Sequence, residues 1–138
     1  MYRVSKVIKF DAAHRLLDYE GKCKNVHGHE YILELTLESK ELNLHDFVID
    51  FNDFKKMKDW INNYWDHVYI GGSGDSVAKA LVAEGSRIFI LEGNSTVENM
   101  SKYIFDIAKK FYNNDRVKVH SVSLHETSSS KCVYTEDK

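Results

Sequence analysis

The strongest constraint on the fold is the alternation of polar and apolar residues in HEYILELTLESK, residues 29–40. In an extended chain, successive side chains point to opposite faces, so this pattern separates an apolar face from a polar one. The apolar face holds Tyr31, Leu33, Leu35 and Leu37, and the polar face largely holds Glu30, Glu34, Thr36 and Glu38. Residues 2–10 alternate in the same way, although less strictly. We therefore predict two β-strands that pair with each other.

Two later segments have the three- and four-residue spacing of apolar positions that is typical of amphipathic helices. The first helix follows Asp50, which is placed to cap its first turn. The second follows Ser95-Thr96-Val97-Glu98, whose S-x-x-E pattern is that of a capping box beginning at Ser95. The apolar positions are 51, 54, 57, 60, 61 and 64 in the first helix and 97, 100, 104, 107, 108 and 111 in the second.

Shorter segments complete the order of elements. Residues 87–91, RIFIL, predict a short buried strand, and residues 117–124 and 132–135 predict two more. The glycine-rich segment 71–86 is interpreted as a loop. This order predicts an α+β domain, in which two helices cover one face of an antiparallel sheet. The edges of such a sheet have to be hidden, and self-association is one way to hide them.

Length and charge limit the class of protein. A chain of 138 residues has the usual size of one domain, so we expect a single domain spanning residues 1–138. The formal net charge of -2 lacks the surplus of cations that nucleic-acid binding requires, and the apolar runs are too short to span a membrane. Without an apolar leader at the N-terminus, we expect a cytoplasmic protein. Cys23 and Cys132 are then expected to be unpaired thiols.

The segment KCKNVHGHEY, residues 22–31, concentrates side chains that bind metals. His27 and His29 project from one face of an extended chain, and Gly28 leaves the space between them uncrowded. His14 ends the preceding strand, so strand pairing brings it beside them. Three histidines with an open fourth position are typical of catalytic zinc sites. We predict a zinc site formed by these three residues, although an isolated H-x-H is more often a turn that faces water.

The sequence allows three interpretations of Cys23, two in which it has a function and one in which it only packs. As a fourth ligand, it would close the zinc site into a structural one. As an uncoordinated thiol, it would have a lowered pKa beside the cation and would act as a base or nucleophile. It would otherwise be a small buried residue. The spacing between Cys23 and His27 does not separate these alternatives.

Taken together, six blocks of the chain resemble the 6-pyruvoyltetrahydropterin synthase and 6-carboxytetrahydropterin synthase family, in the order of that family. The blocks are FDAAHRL at 10–16, KCKNVHGHEY at 22–31, VIDF at 48–51, DH at 66–67, STVEN at 95–99 and HET at 125–127. The short spacing between the cysteine and HGH resembles the bacterial and archaeal branch that serves queuosine synthesis. The resemblance implies the tunnelling fold (T-fold), in which four-stranded sheets of several subunits join into a barrel and active sites lie at subunit interfaces.

The resemblance also implies an activity. It is that of a zinc-dependent carbon–oxygen lyase, which converts 7,8-dihydroneopterin triphosphate into 6-carboxy-5,6,7,8-tetrahydropterin with release of acetaldehyde and triphosphate. The alternatives are the pyruvoyl product on the same scaffold and a non-catalytic zinc- or pterin-binding module. The implied partners are the small-molecule substrate and further copies of the chain, in a trimer or hexamer, with no nucleic acid and no membrane.

Several catalytic roles follow from the same resemblance. His14, His27 and His29 would hold zinc against the hydroxyls of the substrate side chain, and Cys23 would be the base that removes a proton. His67 would be a second proton-transfer group with Asp66 as its electrostatic partner. Consecutive residues of a strand point apart, so contact between these two requires a turn. A polar helix end is the simpler alternative for the pair.

Substrate binding is assigned to three further residues. Glu126 resembles the glutamate that binds the pterin ring and also takes part in the charge relay, and Thr127 adds a contact. Glu98 is a candidate for substrate binding, although helix capping is its simpler interpretation. Ser95 stands where the family commonly has proline. The resemblance therefore does not determine the exact substrate pocket. The cations closest in sequence to the site, and thus candidates for the triphosphate or simply solvated charges, are Arg15, Lys22 and Lys24.

Overall fold

The computed structural model describes residues 1–136, which form a six-stranded sheet with three α-helices and two short 3-10 helices. The strands are β1 (Tyr2–His14), β2 (His27–Ser39), β3 (Val68–Gly71), β4 (Ile88–Ile90), β5 (Lys118–Thr127) and β6 (Ser130–Tyr134). The helices are α1 (Lys55–Tyr64), α2 (Ser76–Ala83) and α3 (Val97–Tyr112), and the 3-10 helices span Lys22–Lys24 and Phe51–Phe54.

Four strands form the antiparallel sheet that the sequence predicts. β1 and β2 pair along their whole length, from Tyr2 opposite Ser39 to His14 opposite His27. β5 pairs with β2, and β6 with β5, both in antiparallel orientation. The alternation of polar and apolar residues in β1 and β2 was therefore a sound guide to their pairing.

The prediction of a purely antiparallel, four-stranded sheet was wrong at the other edge. β3 pairs with β1, and β4, which lies in the strand predicted at residues 87–91, pairs with β3, both in parallel orientation. The strand order is β4-β3-β1-β2-β5-β6. All four residues of β3 are buried, so the strand shows no alternation of polar and apolar positions. Without that alternation, a run of four residues gives no signal by which a strand is recognised.

The structure also contains a third helix within the predicted loop 71–86. α2 begins after Asp75, whose side chain accepts a hydrogen bond from Val77 N at 3.0 Å. Only Ala78 is buried among its eight residues, so the apolar periodicity that predicts an amphipathic helix is weak here. The two predicted helices are present as α1 and α3.

The N-cap of the first predicted helix was predicted correctly, and that of the second was not. Asp50 accepts a hydrogen bond from Asn52 N at 2.9 Å, as expected, although the first turn is a 3-10 helix. The N-cap of α3 is Thr96, which accepts from Asn99 N at 3.2 Å, so the capping box beginning at Ser95 was wrong. Ser95 instead contacts the end of β1, where its hydroxyl donates to Arg15 O at 3.3 Å.

The buried face of the sheet leads directly to the predicted histidines. The residues of the predicted apolar face of β2 are each 0% exposed, namely Tyr31, Leu33, Leu35 and Leu37. Helix α3 packs against β5 and β6, and α1 packs against β1. His14 continues the buried face at the end of β1, and His27 and His29 continue it at the start of β2. Among the described residues, no helix has the length and apolarity needed to cross a bilayer.

Candidate metal centre

The antiparallel pairing of β1 and β2 brings three histidine rings together at the end of the sheet. His14 lies opposite His27, and Ala12 lies opposite His29. The ring centroids of His14 and His27 are 4.7 Å apart, those of His14 and His29 are 5.2 Å apart, and those of His27 and His29 are 4.8 Å apart. The structure thus brings together the three imidazoles that the sequence analysis named.

Two of the rings are oriented by backbone carbonyl groups. His14 Nδ1 lies 2.6 Å from Ser95 O, and His27 Nδ1 lies 2.7 Å from Asn25 O. A carbonyl oxygen only accepts, so each Nδ1 carries the proton and each Nε2 keeps its lone pair. The Nε2 atoms of all three histidines are buried without a hydrogen-bond partner. Buried polar atoms rarely lack partners, and imidazoles held in this way are typical metal ligands.

Glu126, at the end of β5, is the fourth member of this group. One ligand atom from each of the four side chains lies within 4.8 Å of the others. Glu126 Oε1 is 3.1 Å from His29 Nε2, which is close enough for attraction, although the two do not meet hydrogen-bond geometry. The three imidazoles suit a divalent transition metal, and the Glu126 carboxylate lies beside them. We call His14, His27, His29 and Glu126 the metal group.

The surroundings of the metal group favour the neutral form of two of its imidazoles, those of His14 and His29. Burial is the largest cause that lowers the pKa of His14 and of His29. The negative charge of Glu126 acts in the opposite direction, and His27 adds to the lowering. A histidine binds a metal only in its neutral form, so lowered pKa values favour binding at neutral pH.

Tyr31 forms the base of this centre, a position that the sequence analysis treated only as part of the apolar face. Its ring centroid lies 5.5 Å from that of His29 and 6.0 Å from that of His14. The ring stacks on Phe10 at 5.1 Å. Burial, followed by the charge of Glu126, raises the pKa of the Tyr31 hydroxyl. The signal in the sequence was its spacing, two residues after His29 in HGHEY.

Asp11, Asp66 and His67 form a second group of side chains. Asp66 Oδ2 lies 3.0 Å from His67 Nδ1, so the predicted contact is present. His67 has a φ of 58°, which supplies the turn that this contact requires. Asp11 N donates to Asp66 Oδ1 at 3.0 Å, and His67 N donates to Asp11 O at 2.7 Å. The backbone of β1 thus holds the pair in place.

The two groups lie on different faces of the sheet. Asp11 is exposed, whereas Phe10 and Ala12 on either side of it are buried, so Asp11 projects away from the face that holds His14. Within residues 1–136, neither Asp66 nor His67 belongs to the metal group. A single chain therefore does not bring the predicted proton-transfer pair to the predicted metal ligands.

Cys23 lies in the 3-10 helix Lys22–Lys24, before β2. Its carbonyl accepts a hydrogen bond from Leu16 N at 2.8 Å, which joins this turn to the segment after β1. The thiol is half-buried and outside the metal group, so the described chain does not support the closed four-ligand site. Cys23 and Cys132 are both unpaired, as expected.

Arg15 is already matched by a carboxylate. Its guanidinium donates to Asp75 Oδ1 at 3.0 Å and 2.7 Å, and the Asp75 side chain is 0% exposed. Burial favours a raised pKa for Asp75, but the hydrogen bonds from Tyr69 and Arg15 outweigh it and lower the pKa. This pairing weakens the interpretation of Arg15 as a triphosphate ligand.

The remaining predicted residues lie at the surface. Lys22 and Lys24 are exposed in their 3-10 helix, and Thr127 is exposed beside Glu126. Glu98 is exposed in the first turn of α3, where a negative charge is favourable, while the cap itself is Thr96.

Comparison with known proteins gives a consistent family. The family model described as 6-pyruvoyl tetrahydropterin synthase matches residues 3–137. A protein of Haemophilus influenzae named 6-carboxy-5,6,7,8-tetrahydropterin synthase is 32% identical over 99% of this chain and 100% of its own length. The protein of the same name from Aquifex aeolicus is 33% identical over 99% of both chains.

Solved structures show the same fold. The 6-pyruvoyl tetrahydropterin synthase of Caenorhabditis elegans matches with a TM-score of 0.74 and 23% identity, over 99% of this chain and 96% of that one. An uncharacterized protein of Wolinella succinogenes matches with a TM-score of 0.84 and 20% identity, over 99% and 98% of the two chains. The predicted α+β T-fold is confirmed.

Proposed function

The chain belongs to the 6-pyruvoyl tetrahydropterin synthase family, and from this premise we propose that it is a 6-carboxy-5,6,7,8-tetrahydropterin synthase. In this proposal a zinc-dependent carbon–oxygen lyase acts on 7,8-dihydroneopterin triphosphate. The products are 6-carboxy-5,6,7,8-tetrahydropterin, acetaldehyde and triphosphate. The reaction belongs to the cytoplasmic synthesis of 7-deazaguanines such as queuosine.

The observation that carries this proposal is the set of three buried Nε2 atoms without partners. His14 and His27 have the tautomer that a metal requires, because Ser95 O and Asn25 O accept from their Nδ1 atoms. Zinc binds imidazole nitrogen at about 2.0–2.1 Å and leaves a fourth position open in catalytic sites. Bound there, zinc would polarise the substrate oxygens and ease removal of a proton from the adjacent carbon.

Proton transfer is assigned to Cys23 and His67. In the proposal, the Cys23 thiolate removes the first proton. His67 acts as the second proton-transfer group through Nε2, since its Nδ1 faces Asp66 Oδ2 at 3.0 Å. Asp66 orients the ring and stabilises its charged form. Glu126, with Thr127 beside it, binds the pterin, and Glu98 is an outer contact.

In this proposal the site is shared between subunits, because His67 lies outside the metal group of its own chain. β3 pairs with β1 only at Ala12 and Ala13, so the side of β1 that faces away from β2 has no neighbouring strand at residues 2–10 in the described chain. β6 is the last strand at the opposite side of the sheet. Open edges favour pairing with another chain. We therefore include in the proposal a homotrimer or hexamer, in which His67 of one copy serves the metal group of another.

The test is incubation of the zinc-loaded protein with 7,8-dihydroneopterin triphosphate, followed by mass spectrometry of the products. The expected result is the 6-carboxy product with one acetaldehyde released for each turnover. Formation of a 6-pyruvoyl product without acetaldehyde would favour the pyruvoyl alternative. Binding of the substrate without any product would favour a non-catalytic module.

A variant of Cys23 tests the assignment of the base. Cys23→Ala is expected to retain zinc and its melting temperature while losing turnover, and Cys132→Ala is the matched control that retains all three. If Cys23→Ala loses zinc and unfolds, the thiol is a structural ligand and the catalytic assignment is wrong.

A further inference from the structure

One buried hydroxyl group at the metal centre has no partner in the described chain. Six buried side-chain nitrogen or oxygen atoms of residues 1–136 lack a hydrogen-bond partner, and four of them belong to this centre. Three are the Nε2 atoms of the histidines, and the fourth is the Tyr31 hydroxyl. An unpaired buried hydroxyl is unfavourable, so such a group in a folded protein usually meets a water, an ion or a ligand.

The other buried tyrosines of the described chain show the contrast. The Tyr112 hydroxyl donates to Asp53 O at 2.8 Å and accepts from Met57 N at 3.3 Å. The Tyr69 hydroxyl donates to Asp75 Oδ2. The hydroxyls of Tyr112 and Tyr69 therefore have hydrogen-bond partners within the fold. Tyr31 is 0% exposed and its ring stacks on Phe10, but its hydroxyl has no such partner.

The position of Tyr31 places its ring beside the metal group. Tyr31 follows His29 by two residues in β2, so both side chains project from the same face. Its ring centroid lies 5.5 Å from that of His29 and 6.0 Å from that of His14. His27 and His29 are only half-buried, which leaves a path by which a ligand enters the centre.

On the basis of the proposed function, we propose that Tyr31 is a substrate-contacting residue, whose hydroxyl donates a hydrogen bond to a substrate oxygen held between the three histidines and Glu126. A substrate hydroxyl bound to a divalent metal there would be more acidic, and its oxygen would carry negative charge once its proton passes to a base. A hydrogen bond to a charged acceptor is stronger than one to a neutral acceptor, and it is stronger still away from water. Tyr31 therefore binds the substrate and stabilises the charge that develops on it.

The experiment compares Tyr31→Phe with Tyr112→Phe, since each change removes one buried hydroxyl and leaves the ring. Tyr31→Phe is expected to lower kcat by about 10- to 100-fold, the range for a hydrogen bond to a charged group. Its metal-free melting temperature and its zinc affinity are expected to equal those of the wild type or to rise, because no hydrogen bond is lost within the fold. Tyr112→Phe is expected to melt at a lower temperature and to retain kcat.

Three outcomes would overturn the proposal. An unchanged kcat in Tyr31→Phe would mean that the hydroxyl meets only water. A loss of zinc affinity would mean that it acts on the metal group, and a lowered metal-free melting temperature would mean that its role lies in the fold. If the wild type itself makes no product, the proposed function fails separately. In that case the affinity of each protein for 7,8-dihydroneopterin triphosphate tests the role of Tyr31. Tyr31→Phe is expected to bind the substrate more weakly than the wild type, and equal affinity would contradict the proposal.

Discussion

Asn94→Ala is expected to weaken metal binding although Asn94 is outside the metal group. The Asn94 side chain accepts from Leu17 N at 2.7 Å and donates to Leu17 O at 3.1 Å. These two bonds join the segment after β1 to the loop that holds Ser95. The next residue, Ser95, supplies the carbonyl that accepts from His14 Nδ1 at 2.6 Å. Loss of the Asn94 side chain therefore loosens the group that orients the His14 ring.

The size of the effect follows from the bonds that are lost. A hydrogen bond within a protein contributes about 0.5–1.5 kcal/mol net, so the two bonds of Asn94 contribute about 1–3 kcal/mol. Loss of a group that orients a metal ligand typically costs about 10- to 100-fold in affinity. Since each factor of ten corresponds to about 1.4 kcal/mol, such a loss lies within the energy that the two bonds supply.

The matched control is Asn114→Ala. Asn114 Oδ1 accepts two backbone hydrogen bonds, from Arg116 N at 2.8 Å and Val117 N at 2.7 Å, between α3 and β5. Both variants are expected to lower the melting temperature of the metal-free protein by similar amounts. Only Asn94→Ala is expected to lose zinc affinity, measured by competition with a chromophoric chelator and by the absorption spectrum of the cobalt-substituted protein.

The reasoning would be refuted in two ways. If Asn94→Ala is as destabilised as Asn114→Ala but binds zinc as tightly as the wild type, the Ser95 carbonyl does not govern the His14 ring. If both variants lose zinc affinity equally, metal binding depends on overall stability and not on this contact.

Three further predictions concern the metal group, the acid limit of stability and the core. His29→Ala is expected to remove metal binding, whereas His45→Ala, which changes a histidine outside the metal group, is expected to retain it, as measured by metal analysis after dialysis. The lowered pKa of Asp75 means that its contribution to stability is present above about pH 4, near the pKa of an unfolded aspartate, and is lost as the pH falls through the folded value. Asp75→Asn should therefore unfold with a smaller dependence on acid pH, and an unchanged dependence would contradict this assignment. Leu35→Ala, at a position that is 0% exposed, is expected to lower the free energy of unfolding by about 2–5 kcal/mol in urea, and a loss below 1 kcal/mol would place Leu35 outside the core.

Local periodicity predicted the central strands and the metal ligands together. Antiparallel pairing of β1 with β2 follows from their alternation, and the same period of two places His27 and His29 on one face. The resemblance to a family supplied the roles of the other residues, since no local pattern shows what Cys23 or His67 does. The turn between Asp66 and His67 was expected for a steric reason and is present as a positive φ.

Elements without local periodicity were missed. β3 is four residues long and buried throughout, and α2 buries only Ala78, so neither shows a polar and an apolar face. The cap of α3 was assigned one residue too early, because Ser95 and Thr96 are both suitable caps by composition. The contacts of Ser95 with His14 and Arg15 join residues far apart in the chain, and the cap is Thr96.

The sequence by itself determined which side chains share a face, because neighbours along a strand alternate at a fixed period whatever the rest of the chain does. Only the tertiary structure decided which faces meet. It placed Glu126 of β5 against His29 of β2, and it left the Tyr31 hydroxyl buried without a partner. It also set Asp66 and His67 on the face opposite the metal group. These outcomes depend on strand order and on packing between distant segments, which no local pattern encodes.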